Sequence, residues 1–171
     1  FTHFLQNGLV DVGFIGGAQI DKYGNLNSTV IGDYNNPKVR LPGSGGACAI
    51  AGMAKNTIII MPHEKRRFVD KVDFITSPGY LSGVHAREEL GLKGGGPKAV
   101  ISTLGVMRFD EKTKEMYLDS YHHGASIRDV LDKTSWEIQV SATVHETEPP
   151  TEEEVRLLRE ELDPKGLFLK N

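Results

Sequence analysis

The sequence predicts an α/β fold, and two strand-like segments and two helix-start signals support that prediction. Residues 56–61 hold four consecutive apolar side chains, three of them β-branched, which is typical of a buried strand. Residues 10–15 are mostly apolar and end at a glycine pair, as the buried strands of α/β sheets do. Ser126 and Thr151 each precede an acidic residue by three positions, as in the capping boxes that begin helices.

The other strands are predicted from turn chemistry and alternation. A turn at residues 21–25 contains a glycine and an asparagine that tolerate positive φ, so residues 26–31 are expected to return as a strand. Residues 99–109 lead into a polar tip and back through residues 116–121, which predicts a hairpin. The remaining extended segments are expected at residues 38–41 and 71–76.

Three helices are expected. The first begins at Ala47 after a glycine-rich turn, and the other two follow Ser126 and Thr151. In the last two, apolar residues recur at a spacing that places them on one helix face. These stripes are Ile127, Val130 and Leu131 in one helix, and Val155, Leu158 and Leu162 in the other.

The composition indicates a folded domain that binds neither nucleic acid nor a membrane. The chain has 171 residues, 39% of them hydrophobic, and its 20 basic and 23 acidic residues give a net charge of −3. A chain of this length buries roughly 68–70% of its unfolded surface, so we expect one domain over residues 1–171. No segment approaches the ~20 apolar residues of a membrane span, and the single cysteine, Cys48, agrees with a reducing compartment, so we expect the cytoplasm. Because the sequence begins at Phe1 and an apolar run starts almost at once, we also expect the domain to be N-terminally incomplete.

A glycine-rich loop at residues 43–47 is the most informative local feature. Gly43-Ser44-Gly45-Gly46-Ala47 follows an extended segment, and glycines there let backbone N–H groups approach an anionic ligand closely. The loop lacks the Gly-Lys-Ser/Thr ending of a Walker loop, and Cys48 occupies the third glycine position of a dinucleotide-binding loop. The two interpretations are an anion site and a tight turn before a helix.

A second glycine pair, Gly16 and Gly17, follows the first predicted strand. The carboxyl edges of α/β sheets collect ligands, so this pair and the carboxamide of Gln19 are candidate substrate-binding groups. A turn is the alternative interpretation of the glycines. Asp21 is expected to close an Asx-turn with the backbone that follows it.

Three other polar features carry weaker signals. Residues 63–67, His-Glu-Lys-Arg-Arg, have the charge to bind a phosphate-rich ligand, although a solvated or subunit-facing run is commoner. His122 and His123 point to opposite faces of a strand and have no neighbour at ligand spacing, so no metal site is expected. Cys48 is expected to be a small packed residue rather than a nucleophile.

These motifs, in this order, resemble those of the family I CoA-transferases, and in particular the β subunits of the glutaconate CoA-transferase type. The resemblance extends over nearly the whole chain. The motifs that carry it include Phe14-Ile15-Gly16-Gly17-Ala18-Gln19-Ile20-Asp21, Tyr23-Gly24-Asn25, Gly43-Ser44-Gly45-Gly46-Ala47, His63-Glu64-Lys65-Arg66-Arg67-Phe68, Thr76-Ser77-Pro78-Gly79 and Phe109-Asp110-Glu111-Lys112-Thr113-Lys114.

The resemblance implies the CoA-transferase fold, an open, mostly parallel α/β sheet with flanking helices, and a partner α subunit. It also implies a ping-pong reaction between an acyl-CoA and a short carboxylic or dicarboxylic acid. Coenzyme A is then a substrate, and no cofactor or metal is expected. In such a reaction a glutamate attacks the thioester and becomes a glutamyl-CoA thioester. Related enzymes supply an oxyanion donor from a Gly-x-Gly-Gly motif, which Gly43-Ser44-Gly45-Gly46 matches, so Gly45 and Gly46 are the expected oxyanion or CoA contacts.

One departure from the family pattern concerns the nucleophile. The family's glutamate lies in a Glu-Ser-Gly or Glu-Asn-Gly segment well before the Gly-Gly-Ala-Gln stretch, and this sequence contains neither. We therefore assign no catalytic nucleophile within the chain and expect that glutamate upstream of Phe1. A second interpretation is a family branch without the glutamate, a hydrolase that opens rings in CoA thioesters of steroid breakdown. A third is a non-catalytic partner-binding domain.

Overall fold

Ten strands and five α-helices run through residues 2–168, the part of the chain that the computed structural model describes. The strands are β1 (Val12–Ile15), β2 (Gln19–Ile20), β3 (Leu26–Asn27), β4 (Val30–Gly32), β5 (Pro37–Arg40), β6 (Asn56–Met61), β7 (Pro97–Ser102), β8 (Gly105–Phe109), β9 (Met116–Tyr121) and β10 (Gln139–Glu146). The helices are α1 (Thr2–Gln6), α2 (Ala47–Met53), α3 (Ala86–Glu89), α4 (Ile127–Asp132) and α5 (Glu152–Arg156). A π-helical segment, Leu157–Leu162, continues α5.

Six of these strands form one open sheet in the order β1-β6-β7-β8-β9-β10. Three of its five strand pairs are parallel, namely β1/β6, β6/β7 and β9/β10, which confirms the predicted open, mostly parallel sheet. Helix α2 packs on β1 at Gly13, where an added Cβ would collide with Ile50. The sheet is therefore flanked by helices, as expected.

The predicted hairpin forms between β8 and β9, but residues 99–109 are not one strand. The chain reverses at Thr103 and Leu104, and β7 pairs antiparallel with β8. Ser102 makes this reversal tight, because its Oγ accepts hydrogen bonds from the N–H groups of Leu104, at 3.1 Å, and Gly105, at 3.2 Å. A side chain, rather than a glycine or proline in the turn, stabilises the reversal that the pattern missed.

Two other predicted strands are corrected for a similar reason. Residues 26–31 divide into β3 and β4, because Asn27 Oδ1 accepts from the N–H groups of Thr29 and Val30 and turns the chain. Residues 71–76 form no strand; Asp73 N–H donates to Gln19 Oε1 at 3.1 Å instead of joining a sheet ladder. Side-chain hydrogen bonds compete here with strand pairing.

All three predicted helices are present, and both predicted capping boxes form at Ser126 and Thr151. The apolar stripes of the last two helices differ in burial. Val130 of α4 is fully buried in the main core, whereas Leu158 and Leu162, beyond α5, are 40% and 73% exposed. Within residues 2–168, no helix has the length and apolar character needed to cross a membrane.

The core lies against one face of the sheet. Thr57, Ile59 and Met61 of β6 are buried, whereas Ile60, which points to the other face, is 52% exposed. Phe14 of the edge strand β1 is also exposed. The main apolar cluster consists of Ile20, Leu26, Ile59, Met61, Phe68, Val100, Met107, Met116, Leu118, Val130 and Ile138.

Candidate functional site

The two glycine segments that the sequence singles out come together where β1 ends. Ala18, which follows the Gly16–Gly17 pair, donates its N–H to the carbonyl of Asn27 at 2.8 Å. Ser28, which follows Asn27, makes two hydrogen bonds to Gly43. Its carbonyl accepts the N–H of Gly43 at 2.8 Å, and its Oγ–H donates to the Gly43 carbonyl at 2.9 Å. Asn27 and Ser28 therefore link both glycine segments at the carboxyl edge of the sheet, where α/β folds bind ligands.

The glycine loop itself is open on its outer side. Gly43 and Gly45 have φ values of +91° and +48°, and an added Cβ on either would meet nothing within 4 Å. Glycine is thus required by the backbone conformation and not by packing. Within residues 2–168, the N–H groups of Gly45 and Gly46 have no hydrogen-bond acceptor. These two amides are available to an oxyanion of a ligand.

Gly16 and Gly17 are packed more closely than the loop glycines. An added Cβ on Gly16 would lie 2.9 Å from the carbonyl oxygen of Ile60, and one on Gly17 would lie 3.2 Å from that of Asn27. Close backbone packing therefore explains both glycines. Their contact with substrate stays a prediction.

Gln19 is buried, and its carboxamide supports the loops around the site. Its Nε2 donates to Asp73 Oδ2 at 3.0 Å, and its Oε1 accepts from Asn27 Nδ2 at 2.7 Å. Through Gln19, these bonds connect Asp73 to Asn27, the residue whose carbonyl accepts the N–H of Ala18.

Asp21 closes the predicted Asx-turn, since its Oδ1 accepts from the N–H groups of Tyr23 and Asn25. Burial raises the pKa of Asp21.

The basic run after β6 is divided by the fold. His63 is buried, its ring nitrogens lie 3.0 Å from Ser102 Oγ and 3.1 Å from Thr134 Oγ1, and it stacks on Phe68 with ring centroids 3.7 Å apart. Burial lowers its pKa to about 4, so the ring is neutral at pH 7 and is a structural group. His63 is therefore not a candidate ligand-binding group.

Arg67 is the member of that run that reaches the glycine pair. Its Nη1 lies 3.5 Å from the carbonyl oxygen of Gly17. No pattern in the sequence distinguishes it from Arg66, which is exposed and paired with Glu64. The guanidinium of Arg67 therefore shares the carboxyl edge with both glycine segments.

Neither Cys48 nor the histidine pair forms a reactive cluster. Cys48 is exposed on α2, so the expectation that it is packed was wrong. The ring of His122 bonds to Thr147 and to the carbonyl of Ser102, whereas His123 bonds to Glu146. In the described part of the chain, no three His, Cys, Asp or Glu side chains are grouped so as to hold a metal ion.

Sequence reasoning also missed Arg87, which positions the helix after the glycine loop. It is buried and donates to the carbonyls of Ala51 at 2.9 Å, Gly79 at 2.7 Å and Gly94 at 2.9 Å. Ala51 belongs to α2, so Arg87 fixes that helix against residues 78–94. No local pattern in the sequence marks a buried arginine whose partners are backbone carbonyls.

Known sequences match nearly the whole of this chain. The profile of the family described as Coenzyme A transferase matches residues 1–133. The B subunit of glutaconate CoA-transferase from Acidaminococcus fermentans is 52% identical over 160 residues, which are 93% of this chain and 59% of that protein. The B subunit of 3-oxoadipate CoA-transferase from Pseudomonas knackmussii is 49% identical over 159 residues, 93% of this chain and 61% of that protein. The cholesterol ring-cleaving hydrolase IpdB subunit of Rhodococcus jostii is 32% identical over 153 residues, 90% of this chain and 60% of that protein.

Solved structures agree with the sequence comparison. The crystal structure of glutaconate coenzyme A-transferase from Acidaminococcus fermentans superposes with a TM-score of 0.93 and 48% identity, covering 100% of this chain and 67% of that chain. The Rhodococcus jostii IpdAB structure gives a TM-score of 0.85 and 30% identity, covering 97% of this chain and 66% of that chain. The chain spans about three fifths of the length of the curated relatives that it matches. By profile, sequence identity and fold, as the motifs predicted, the chain belongs to the coenzyme A transferase family.

Proposed function

We propose that the chain is part of the β subunit of a CoA-transferase that moves CoA between an acyl-CoA and a short carboxylic or dicarboxylic acid. The main support is that the N–H groups of Gly45 and Gly46, at the carboxyl edge of the sheet, have no acceptor within residues 2–168. The chain also belongs to the coenzyme A transferase family. The transferase relatives, at 52% and 49% identity, are more similar to this chain than the hydrolase relative at 32%. The names of both transferases give dicarboxylic acids as substrates.

The proposed reaction proceeds in two halves. A glutamate carboxylate attacks the thioester carbonyl of acyl-CoA, and the CoA thiolate leaves to give an acyl-glutamyl anhydride. The thiolate then attacks the glutamyl carbonyl, which releases the first acid and leaves a glutamyl-CoA thioester. The second acid reverses these steps: its carboxylate attacks the glutamyl-CoA, and the thiolate returns to the new acyl carbonyl. The glutamate is regenerated at the end.

Each carbonyl attack produces a tetrahedral oxyanion, and the glycine loop supplies the chemistry for it. Two N–H groups held in a fixed loop lower the free energy of such an intermediate without reorganising during the reaction. We assign this role to Gly45 and Gly46, with Gly43, Ser44 and Ala47 completing the loop around the bound thioester. Gly16 and Gly17 are proposed to lie along the substrate on the neighbouring segment, and the buried carboxamide of Gln19 is proposed to hold that segment through Asp73 and Asn27.

The nucleophile is proposed to lie outside this sequence. Glu64 shares the carboxyl edge but is held by Arg66 and Arg67, and the hydrogen bond from Arg66 is the main cause of its lowered pKa. We further propose that an α subunit completes the site, that coenzyme A enters as substrate with no separate cofactor, and that the enzyme works in the cytoplasm. Both transferase relatives are named as one subunit of their enzyme, which supports the α subunit.

The experiment is a trapping assay on the full-length β subunit with its α subunit. The pair is incubated with acyl-CoA and then treated with borohydride or hydroxylamine, and the products are identified by mass spectrometry. A transferase accumulates an enzyme-bound glutamyl thioester that both reagents trap. Ring opening of a cyclic CoA thioester, with the thioester bond kept and no trapped adduct, would instead support the hydrolase, which the relatives at about 30% identity favour. Absence of CoA binding by calorimetry would support a non-catalytic domain.

A further inference from the structure

Arg67 is held at the site by its own backbone and not by a strong ion pair. Its carbonyl accepts the N–H of Ile20 at 2.7 Å, and its N–H donates to the carbonyl of Glu64 at 2.8 Å. These two bonds fix the Cα of Arg67 beside the segment that follows Gly17. The side chain then extends along that segment and is only 26% exposed.

The positive charge of Arg67 is incompletely matched. Its carboxylate contact is Glu64 Oε2, 3.3 Å from Nε, and the same oxygen lies 2.5 Å from Nε of Arg66. One carboxylate therefore forms ion pairs with two guanidinium groups. Arg66 is 77% exposed and solvated, whereas Arg67 is largely withdrawn from water. A partly buried cation of this kind needs an anionic partner.

The guanidinium of Arg67 also has donors to spare. Within residues 2–168, its hydrogen bonds come from Nε, to Glu64, and from Nη1, to Gly17 at 3.5 Å. Nη2 donates to no protein group there, so one side of the planar fork is free. An arginine fork matches the two oxygens of a carboxylate, which it binds with two parallel hydrogen bonds.

We propose that Arg67 binds the non-reacting carboxylate of a dicarboxylic acid while the other carboxyl group reacts beside Gly45 and Gly46. This inference rests on the proposed CoA-transferase function and names its substrate class. Gly17, which Arg67 contacts, packs against Asn27, and the adjacent Ser28 holds the glycine loop. The fixed charge and the oxyanion donors therefore lie on the same sheet edge, as the two ends of a short diacid require.

The test compares two five-carbon acids as CoA acceptors, with acetyl-CoA as donor and the full-length subunit pair as enzyme. Glutarate carries the second carboxylate and pentanoate does not. Arg67→Gln is expected to lower kcat/KM for glutarate by about 30-fold or more, because a charged hydrogen-bonded contact is lost, and to leave pentanoate within about 3-fold. Arg67→Lys keeps the charge without the fork and is expected to fall between Gln and wild type. Lys65→Gln, an exposed cation of the same run, is the control and is expected to match wild type.

Three results would overturn the inference. An equal fall for both acids would show a general structural role, and no fall for glutarate would show no role. A raised KM for acetyl-CoA with unchanged acid kinetics would assign the charge to a CoA phosphate. If the wild-type pair transfers no CoA, the proposed function fails, and calorimetry with glutarate alone decides the Arg67 site. Binding by wild type that is lost in Arg67→Gln would support it, whereas equal binding or none would contradict it.

Discussion

Ser28 and Gly43 are joined by two reciprocal hydrogen bonds, Oγ of Ser28 to the Gly43 carbonyl at 2.9 Å and N–H of Gly43 to the Ser28 carbonyl at 2.8 Å. They clamp the entrance of the glycine loop to the segment that follows β3. Ser28→Ala removes the first bond and keeps the second, which is between backbone atoms. We expect a stability loss of about 1 kcal/mol and an approximately 10-fold fall in CoA transfer as the loop loosens. Steady-state kinetics and urea unfolding measure both.

The control for this variant is Ser82→Ala, an exposed serine on another loop. It is expected to retain wild-type stability and transfer. If Ser28→Ala also retains full transfer, the hydrogen bond from Ser28 to Gly43 does not position the N–H groups of Gly45 and Gly46.

Gly45 and Gly46 differ in backbone conformation, and alanine variants are expected to separate them. Gly45 has φ +48°, a left-handed conformation that costs an alanine about 1 kcal/mol, whereas Gly46 has φ −86°. Gly45→Ala is therefore expected to be less stable than Gly46→Ala in denaturant unfolding. Equal stability of the two variants would show that the loop relaxes around residue 45.

His63 is expected to make stability depend on pH. Burial lowers its folded-state pKa from 6.5 to about 4, so the unfolded chain binds a proton that the folded chain excludes between those values. Stability from this group is present above pH 6.5 and falls as the pH decreases towards 4. The difference between the two pKa values corresponds to a loss of about 3 kcal/mol in the free energy of unfolding.

The measurement is urea unfolding of the wild type and His63→Gln at pH 7 and pH 4.5. Glutamine does not titrate, so the stability difference between the two proteins is expected to shrink at the lower pH. His85→Gln, at an exposed histidine, is the control and should follow the wild type. A difference that is the same at both pH values would mean that His63 does not titrate between them.

Arg87 is expected to be a main stabilising residue of the helix that follows the glycine loop. Arg87→Met leaves the carbonyls of Ala51, Gly79 and Gly94 without their donor in a buried place. The expected cost is at least about 3 kcal/mol in the free energy of unfolding, because several buried acceptors lose a charged partner. Arg128→Met, which changes an arginine that is 89% exposed, is expected to cost less than about 0.5 kcal/mol. Similar losses in both variants would contradict a role of the buried carbonyl contacts.

The sequence predicted the sheet and the helices well where the signal is local. The apolar strand at residues 56–61 and the capping boxes at Ser126 and Thr151 need only neighbouring residues, and all three are present. Residues 71–76 alternate like a strand but are held by the side chains of distant residues, including Gln19. Such contacts have no local sequence pattern, so alternation alone led to the wrong prediction there.

In the candidate site, too, the features set by neighbouring residues could be predicted, and those set by distant contacts could not. Gly43 and Gly45 could be predicted because only glycine adopts their backbone conformations easily. That Arg67 reaches Gly17 while Arg66 is solvated depends on the pairing of Ile20 with residues 67–69, about 50 positions away. The family motifs predicted which segments form the site, and the fold determines which side chain within a segment faces the sheet edge.

The rate at which the trapped glutamyl thioester forms in the full-length Gly46→Val pair tests whether the glycine loop is the oxyanion donor. Gly46 has a φ of −86°, which valine adopts without strain, and the added side chain is expected to hinder the approach of a ligand to the free N–H. With the fold verified by circular dichroism, a single-turnover assay with acyl-CoA is expected to show a rate lower by about 10²-fold than wild type. An unchanged rate of thioester formation would contradict the assignment of the glycine loop as the oxyanion donor.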